Sequence, residues 1–289
     1  MALPLKEVTL ICFDTRNIDA AIESMNFSLR QIHFAESILF TTKALCSDSA
    51  INNANKLGIK LEFISQVSSI SEYSYFILVN LEKYIKTKFC LVTQWDGWVI
   101  NREKWNNNFL NFDYIGAIWP DYLENQIGNG GFSLRSKKFL ESTKDYLLAQ
   151  PDIPKLLVED DFICRIKRIE FEEKYQIKFP DIKLANKFSI EGNGFPIECF
   201  GFHSMSNFHA VLDKDSDLKR FINMLIRENF VNRESYDLTK NLLNENRFSV
   251  AKLIINKRFE SNGLSKKHIK LNIFLYYRKL LIKVKNVFK

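Results

Sequence analysis

Two aspartates each close an apolar run. Asp14 follows Val8 to Phe13, and Asp96 follows Phe89 to Thr93 within Gln94-Trp95-Asp96-Gly97. Further on, Gly128-Asn129-Gly130-Gly131 places three glycines in four residues, which lets backbone approach a ligand closely. That loop has neither the GKS/T ending of a P-loop nor the spacing of a dinucleotide fingerprint, so taken alone it reads as a tight turn. Glu159-Asp160-Asp161 opens a helical stretch. Acids are common at helix starts because they suit the macrodipole; the functional alternative is that one serves as a general base. Successive helical residues point about 100° apart, so the three carboxylates cannot face one ligand. His203 lies in Phe200-Gly201-Phe202-His203-Ser204. A lone histidine among aromatics is more often a packed core residue than a metal ligand.

The elements that must hold these residues alternate in type. Strands are expected over Val8–Phe13, Ser37–Thr41, Leu61–Ile64 and Phe89–Thr93. Between them, Ile18, Ile22, Met25 and Leu29 recur at helical spacing, and Ser71 is expected to cap a helix running to Ile85. Such alternation predicts a mostly parallel central sheet flanked by helices. In sheets of that kind ligands bind at the carboxyl ends of strands, which singles out Asp14 and Asp96. The middle adds expected strands over Tyr114–Trp119 and Phe132–Arg135, a helix over Ser136–Leu148 and another from Val158 to Tyr175. Short strands are expected over Phe188–Glu191 and Phe200–His203. Beyond about residue 211 apolar residues keep helical spacing and glycine nearly vanishes, leaving only Gly263. The expected organisation is an α/β domain over residues 1–210 and a helical region over 211–289.

Composition narrows the class. The 289 residues are 46% hydrophobic and 26% charged, as in an ordinary globular chain. The net charge of +7 is uneven: no acid follows Glu260, while residues 266–289 carry eight Lys or Arg. Without that tail the body is near neutral, so no nucleic-acid partner is expected of it. The tail reads either as a basic interfacial helix on an anionic inner-membrane surface or as a packed helix with solvated lysines. Cys12, Cys46, Cys90, Cys164 and Cys199 form neither a disulfide framework nor a zinc spacing, and read as reduced thiols. The start MALPLKEVTL lacks signal-peptide character, and no run reaches the ~18 apolar residues of a membrane span. A cytoplasmic chain, peripheral at the inner membrane, is the expectation.

In order along the chain, Gln94-Trp95-Asp96-Gly97, Asp113-Tyr114-Ile115-Gly116-Ala117, Trp119-Pro120, Gly128 to Ser136, Glu159-Asp160 and Phe200 to His203 resemble the GT-A class of nucleotide-sugar-dependent glycosyltransferases. The likeness is closest to a bacterial family assigned to glycosyltransferases and known mainly from sequence, and it spans roughly residues 5 to 205. The resemblance implies a GT-A-like (Rossmann-like) fold and an inverting transfer from a nucleotide-sugar donor to a glycan or lipid-linked acceptor in surface polysaccharide synthesis. Asp96 stands where that class keeps its Asp-x-Asp metal motif, with Gln94 in place of the first acid. His203 matches the late histidine of the metal site, so Mn²⁺ or Mg²⁺ is implied, its other ligands coming from diphosphate and water. Asn129, Gly130 and Gly131 match the loop near donor and acceptor. Asp160 matches the base, with Glu159 or Asp161 as alternatives if the register shifts. The donor's base and ribose would lie near Phe13, Asp14 and Arg16. Arg135 or Arg165 would offset charge on the leaving phosphate, and Trp95, Trp98 or Trp119 could stack on sugar or base. Two other functions stay open: a sugar nucleotidyltransferase, and a non-catalytic scaffold that binds membrane or nucleic acid through the tail. The first would need a Gly-rich basic loop after the first strand, which Phe13-Asp14-Thr15-Arg16-Asn17 does not supply.

Overall fold

The computed structural model describes residues 2–119, 121–150, 157–192 and 198–287. The described residues divide into two compact units, one of residues 2–191 and 198–203, the other of Gly192 and residues 204–287. The first contains β1 (Leu3–Phe13), α1 (Ile18–Gln31), β2 (Ile32–Thr41), α2 (Asp48–Lys56), β3 (Lys60–Phe63), α3 (Ile70–Tyr75), β4 (Phe89–Thr93), β5 (Trp98–Val99), β6 (Tyr114–Ile115) and β7 (Phe132–Ser136). It continues through α4 (Lys137–Leu148), α5 (Glu159–Asp161), α6 (Arg168–Lys174), α7 (Ile182–Phe188), β8 (Ser189–Glu191) and β9 (Gly201–His203).

Six strands form the central sheet in the order β3-β2-β1-β4-β7-β6. The first four are mutually parallel, and β7 runs antiparallel to both neighbours. This is the mostly parallel α/β sheet expected from the alternating elements. Side chains along a strand point alternately to the two faces, and both faces here are buried. Leu10, Cys12, Leu39 and Leu91 join α1's Ile18, Ile22 and Met25 on one side. Ile11, Phe13, Ile38, Phe40 and Val92 join α4's Phe139, Leu140 and Leu147 on the other. A small second sheet, β5-β9-β8, carries His203 at its end.

Several expected boundaries shift. The cap of α3 is Ser69, whose Oγ accepts from Glu72 N, while Ser71 Oγ accepts from Leu157 N. The chain then passes through a π-helical turn at Phe76–Asn80 and a 3₁₀ turn at Leu81–Tyr84 in place of a single helix to Ile85. The expected strand Tyr114–Trp119 pairs only at Tyr114 and Ile115, plus an isolated Ile118–Ile127 bridge. The expected helix 158–175 is interrupted by a π turn at Phe162–Ile166. Phe188 ends α7 instead of opening β8.

The second unit is helical: α8 (Phe208–Val211), α9 (Asp215–Met224), α10 (Arg233–Asn244), α11 (Phe248–Asn262) and α12 (Lys266–Val287). Its core includes Leu218, Phe221, Ile222, Leu238, Leu242, Val250 and Ile254. Arg247 ties the start of α11 to Asp215 Oδ1 (2.7 Å) and to the carbonyls of His209 (2.7 Å) and Leu212 (2.8 Å). Among the described residues no helix is long and apolar enough to cross a membrane. All five cysteines are free thiols.

Candidate active site

Strand register brings the four chemical stretches to one sheet edge. β1 and β4 are parallel neighbours with Cys12 opposite Thr93, so Asp14 and Gln94–Asp96 emerge side by side. β7 is antiparallel to β4 with Phe132 opposite Thr93, so the Gly128–Gly131 loop that precedes it meets the same edge. β9 pairs with β5 through Trp98 and Phe202, which sets His203 beside Gly97.

Asp96 and His203 form the centre. Asp96 is buried, and its Oδ1 lies 3.3 Å from His203 Nε2. The same Nε2 is 3.1 Å from Gln94 Oε1, and Glu191 Oε1 lies 3.6 Å from His203 Nδ1. Gln94 Nε2 donates to Tyr73 Oη at 3.2 Å. Ser24 Oγ donates to the carbonyls of Gln94 (2.9 Å) and Gly97 (2.7 Å), holding the turn that presents Asp96. Burial works against a charged His203, but the carboxylates of Asp96 and Glu191 outweigh it and lift the imidazole well above its ordinary range. The glycine loop closes over the ring: a Cβ on Gly131 would collide with His203 Nε2. Close approach is therefore what glycine supplies there, and Asn129 beside it takes a left-handed φ of 46°.

The acid triplet splits three ways. Glu159 is buried and holds Arg135 in a bidentate pair, Nη1 to Oε2 at 3.0 Å and Nη2 to Oε1 at 2.8 Å. Arg135 also donates to Ser133 Oγ (3.0 Å) and the Gly130 carbonyl (3.3 Å). Asp160 is partly exposed and accepts from Gly130 N through Oδ2 at 2.6 Å. Asp161 turns away to pair with Arg165 at 2.5 Å. Two expectations are corrected by this. Arg135 is 0% exposed, so it cannot touch a donor or acceptor and instead fixes the glycine loop. Glu159 and Asp161 are engaged by arginines, which leaves Asp160 as the acid facing the loop.

Asp14 caps the turn after β1: its Oδ1 accepts from Arg16 N (2.6 Å) and Asn17 N (2.5 Å). Burial raises its carboxyl to about 6, with Asp96 adding to the rise and the two backbone bonds opposing it. Arg16 is exposed at the rim. Trp95 packs partly against the core. Trp98 is not a stacking platform, because it is buried between Phe27 and Phe202. Trp119 covers Gly128. Tyr73, Glu191 and Ser24 join the site without having been singled out from sequence. They arrive from α1, α3 and β8, and nothing in their local sequence signals it.

Metal-binding capacity at this edge is modest. Among the described residues no three His, Cys, Asp or Glu side chains gather into a metal-holding group. Asp96 and His203, once the imidazole gives up its proton, nevertheless supply one oxygen and one nitrogen, and Asp96 Oδ1 is buried with no hydrogen bond beyond its 3.3 Å approach to His203 Nε2. Asn129 Oδ1 is a second buried oxygen without a hydrogen bond. A two-residue set suits a hard divalent cation that keeps waters and shares a phosphate ligand.

Similar folds occur among solved structures. One is a glycosyltransferase involved in glycosylation of the major capsid of PBCV-1, with 13% identity, TM-score 0.45, and coverage of 75% of this chain and 98% of that one. Another is mouse xyloside xylosyltransferase 1, with 10% identity, TM-score 0.39 and coverage of 71% and 99%. A third is a cytidylyltransferase from Leptospira borgpetersenii, with 14% identity, TM-score 0.33 and coverage of 63% and 77%. No curated protein matches the sequence. One family model does match, over residues 58–204, and that span holds Asp96, the glycine loop, Asp160 and His203. The chain belongs to that family, described as protein of unknown function (DUF5672).

Proposed function

We propose that the chain is a nucleotide-sugar-dependent glycosyltransferase acting on a hydroxyl of a glycan or lipid-linked acceptor in surface polysaccharide synthesis. One observation carries this: Asp160, a partly exposed carboxylate, is hydrogen-bonded to the loop whose next residue lies against the Asp96–His203 pair. On this reading the base and the pair that would hold the donor's diphosphate through a cation are one glycine loop apart.

The donor's base and ribose would bind near Asp14 and Arg16, and its diphosphate near Asp96 and His203. The acceptor hydroxyl would give its proton to Asp160 as its oxygen bonds to the anomeric carbon. The bond from that carbon to the diphosphate breaks, and its electron pair leaves with the nucleoside diphosphate. The transition state is oxocarbenium-like, and a single displacement inverts the anomeric centre. A divalent cation held by Asp96 and His203 would supply charge for the leaving diphosphate. Asn129 and Gly131 would shape the floor on which donor and acceptor meet. A sugar nucleotidyltransferase fits less well, since the turn after β1 is filled by Asp14 and lacks a glycine-rich basic loop.

The test is nucleoside diphosphate release from a panel of nucleotide-sugars with glycan acceptors. Asp160→Asn keeps an oxygen for Gly130 N, so the fold should persist while kcat falls on the order of 100-fold or more. Full turnover in Asp160→Asn would sink the proposal, since Asp161 faces Arg165 instead of the loop. Pyrophosphate release from a nucleoside triphosphate and a sugar phosphate would favour the nucleotidyltransferase instead.

A further inference from the structure

α12 is apolar on two opposite sides. Leu271 and Leu275 are buried, and the helix packs on α10 and α11. Arg278 reaches back to the Asn244 carbonyl at 2.6 Å and to Asn246 Oδ1 at 3.0 Å. A packed helix of this kind should be polar on its outer side. At about 100° per residue, Ile269, Ile273, Tyr276, Leu280 and Val284 fall on the side opposite Leu271 and Leu275. All five are exposed, Tyr276 by 71% and Ile273 by 63%. The exposed lysines Lys270, Lys279 and Lys283 flank this stripe, with Lys266 at its start.

We infer that this outer face of α12 docks on an anionic lipid bilayer. The stripe runs from Ile269 to Val284, about 24 Å at 1.5 Å per residue, and it asks for an apolar partner. The charge selects which one. No acidic residue follows Glu260, so a second copy of α12 would bring like charge against like charge. Nucleic acid matches the lysines but offers no surface for Ile273 and Leu280. An anionic bilayer satisfies both, with aliphatic side chains in the acyl boundary, Tyr276 and Tyr277 at headgroup depth and lysines on the phosphates. Lipid docking of this kind is independent of what the α/β unit catalyses.

Flotation of the full chain with vesicles tests it. Binding is expected to phosphatidylcholine vesicles that contain phosphatidylglycerol, to weaken with salt, and to be absent from phosphatidylcholine alone. Ile273→Ser with Leu280→Ser, and separately Lys270→Glu with Lys283→Glu, should each cut partitioning roughly tenfold or more. All four side chains are exposed, so the melting temperature should stay that of the parent chain and loss of binding is not loss of fold. Equal binding to both vesicle types, or no binding to either, overturns the proposal. A concentration-dependent dimer abolished by Ile273→Ser with Leu280→Ser, without lipid binding, overturns it in favour of self-association.

Discussion

Asp14 is buried where two backbone N–H groups hold its carboxylate, and burial still dominates, lifting its pKa to about 6. A carboxyl whose folded pKa lies above its unfolded value binds more protons when folded. Stability is therefore expected to rise as pH falls through about 6 toward the ordinary carboxyl range, and to be lost as pH rises through that window. Asp14→Asn removes this dependence. Between pH 7 and pH 5 the parent chain should gain roughly 1 kcal/mol relative to the variant. Urea unfolding of both proteins at the two pH values reads the difference, and parallel behaviour would contradict the shift. At this scale Asp14 and Asp96 were legible because each follows an apolar strand, whereas Asp160 and His203 were singled out by the family resemblance. Arg135 was read as a ligand-facing cation, and its partner Glu159 as a possible base. A bidentate pair formed across 24 residues of sequence depends on how β7 and α5 come together, which spacing along the chain does not encode.

Among the elements, the glycine loop before β7 leaves little room for change. A Cβ on Gly130 would collide with Glu159 Oε1, and that oxygen is held by Arg135. Gly130→Ala must push apart a buried ion pair, so it should cost about 1–3 kcal/mol, as overpacking does. Gly58→Ala is the useful contrast: nothing stands within 4 Å of its Cβ, and the cost there comes only from its left-handed φ of 69°. Denaturant midpoints of the two variants separate steric conflict at the loop from backbone preference. A Gly130→Ala midpoint no lower than that of Gly58→Ala would mean that the loop does not press on Glu159. β4 was legible end to end, since Phe89–Val92 is apolar, Thr93 is β-branched and the strand stops at Gln94. β5 and β6 were harder to read, at two residues each, because pairing with β9 and β7 defines them rather than any pattern of their own. The π turns at Phe76–Asn80 and Phe162–Ile166 also escape periodicity, which one extra residue in a turn does not erase.

At the scale of the whole molecule, a near-neutral α/β unit and a helical unit ending in a basic helix divide the chemistry. The net charge of +7 belongs to the last helix, and the site residues belong to the sheet edge. That division was visible in composition, since acids stop at Glu260 and glycine nearly stops after Gly201. Composition did not reveal that α12 carries apolar residues on two sides, because that follows from which side packs on α10 and α11. The account's central claim is that Asp96 and His203, at the ends of β4 and β9, receive the diphosphate of a nucleotide-sugar. Calorimetric titration with uridine, guanosine, cytidine and thymidine diphosphates, each with and without Mn²⁺, tests it directly. One of the four should bind, more tightly with the cation, and Asp96→Ala should weaken the cation-dependent binding roughly tenfold or more, the loss of one charged contact to the cation. Binding of none of the four, or binding unchanged by Asp96→Ala, would contradict the account.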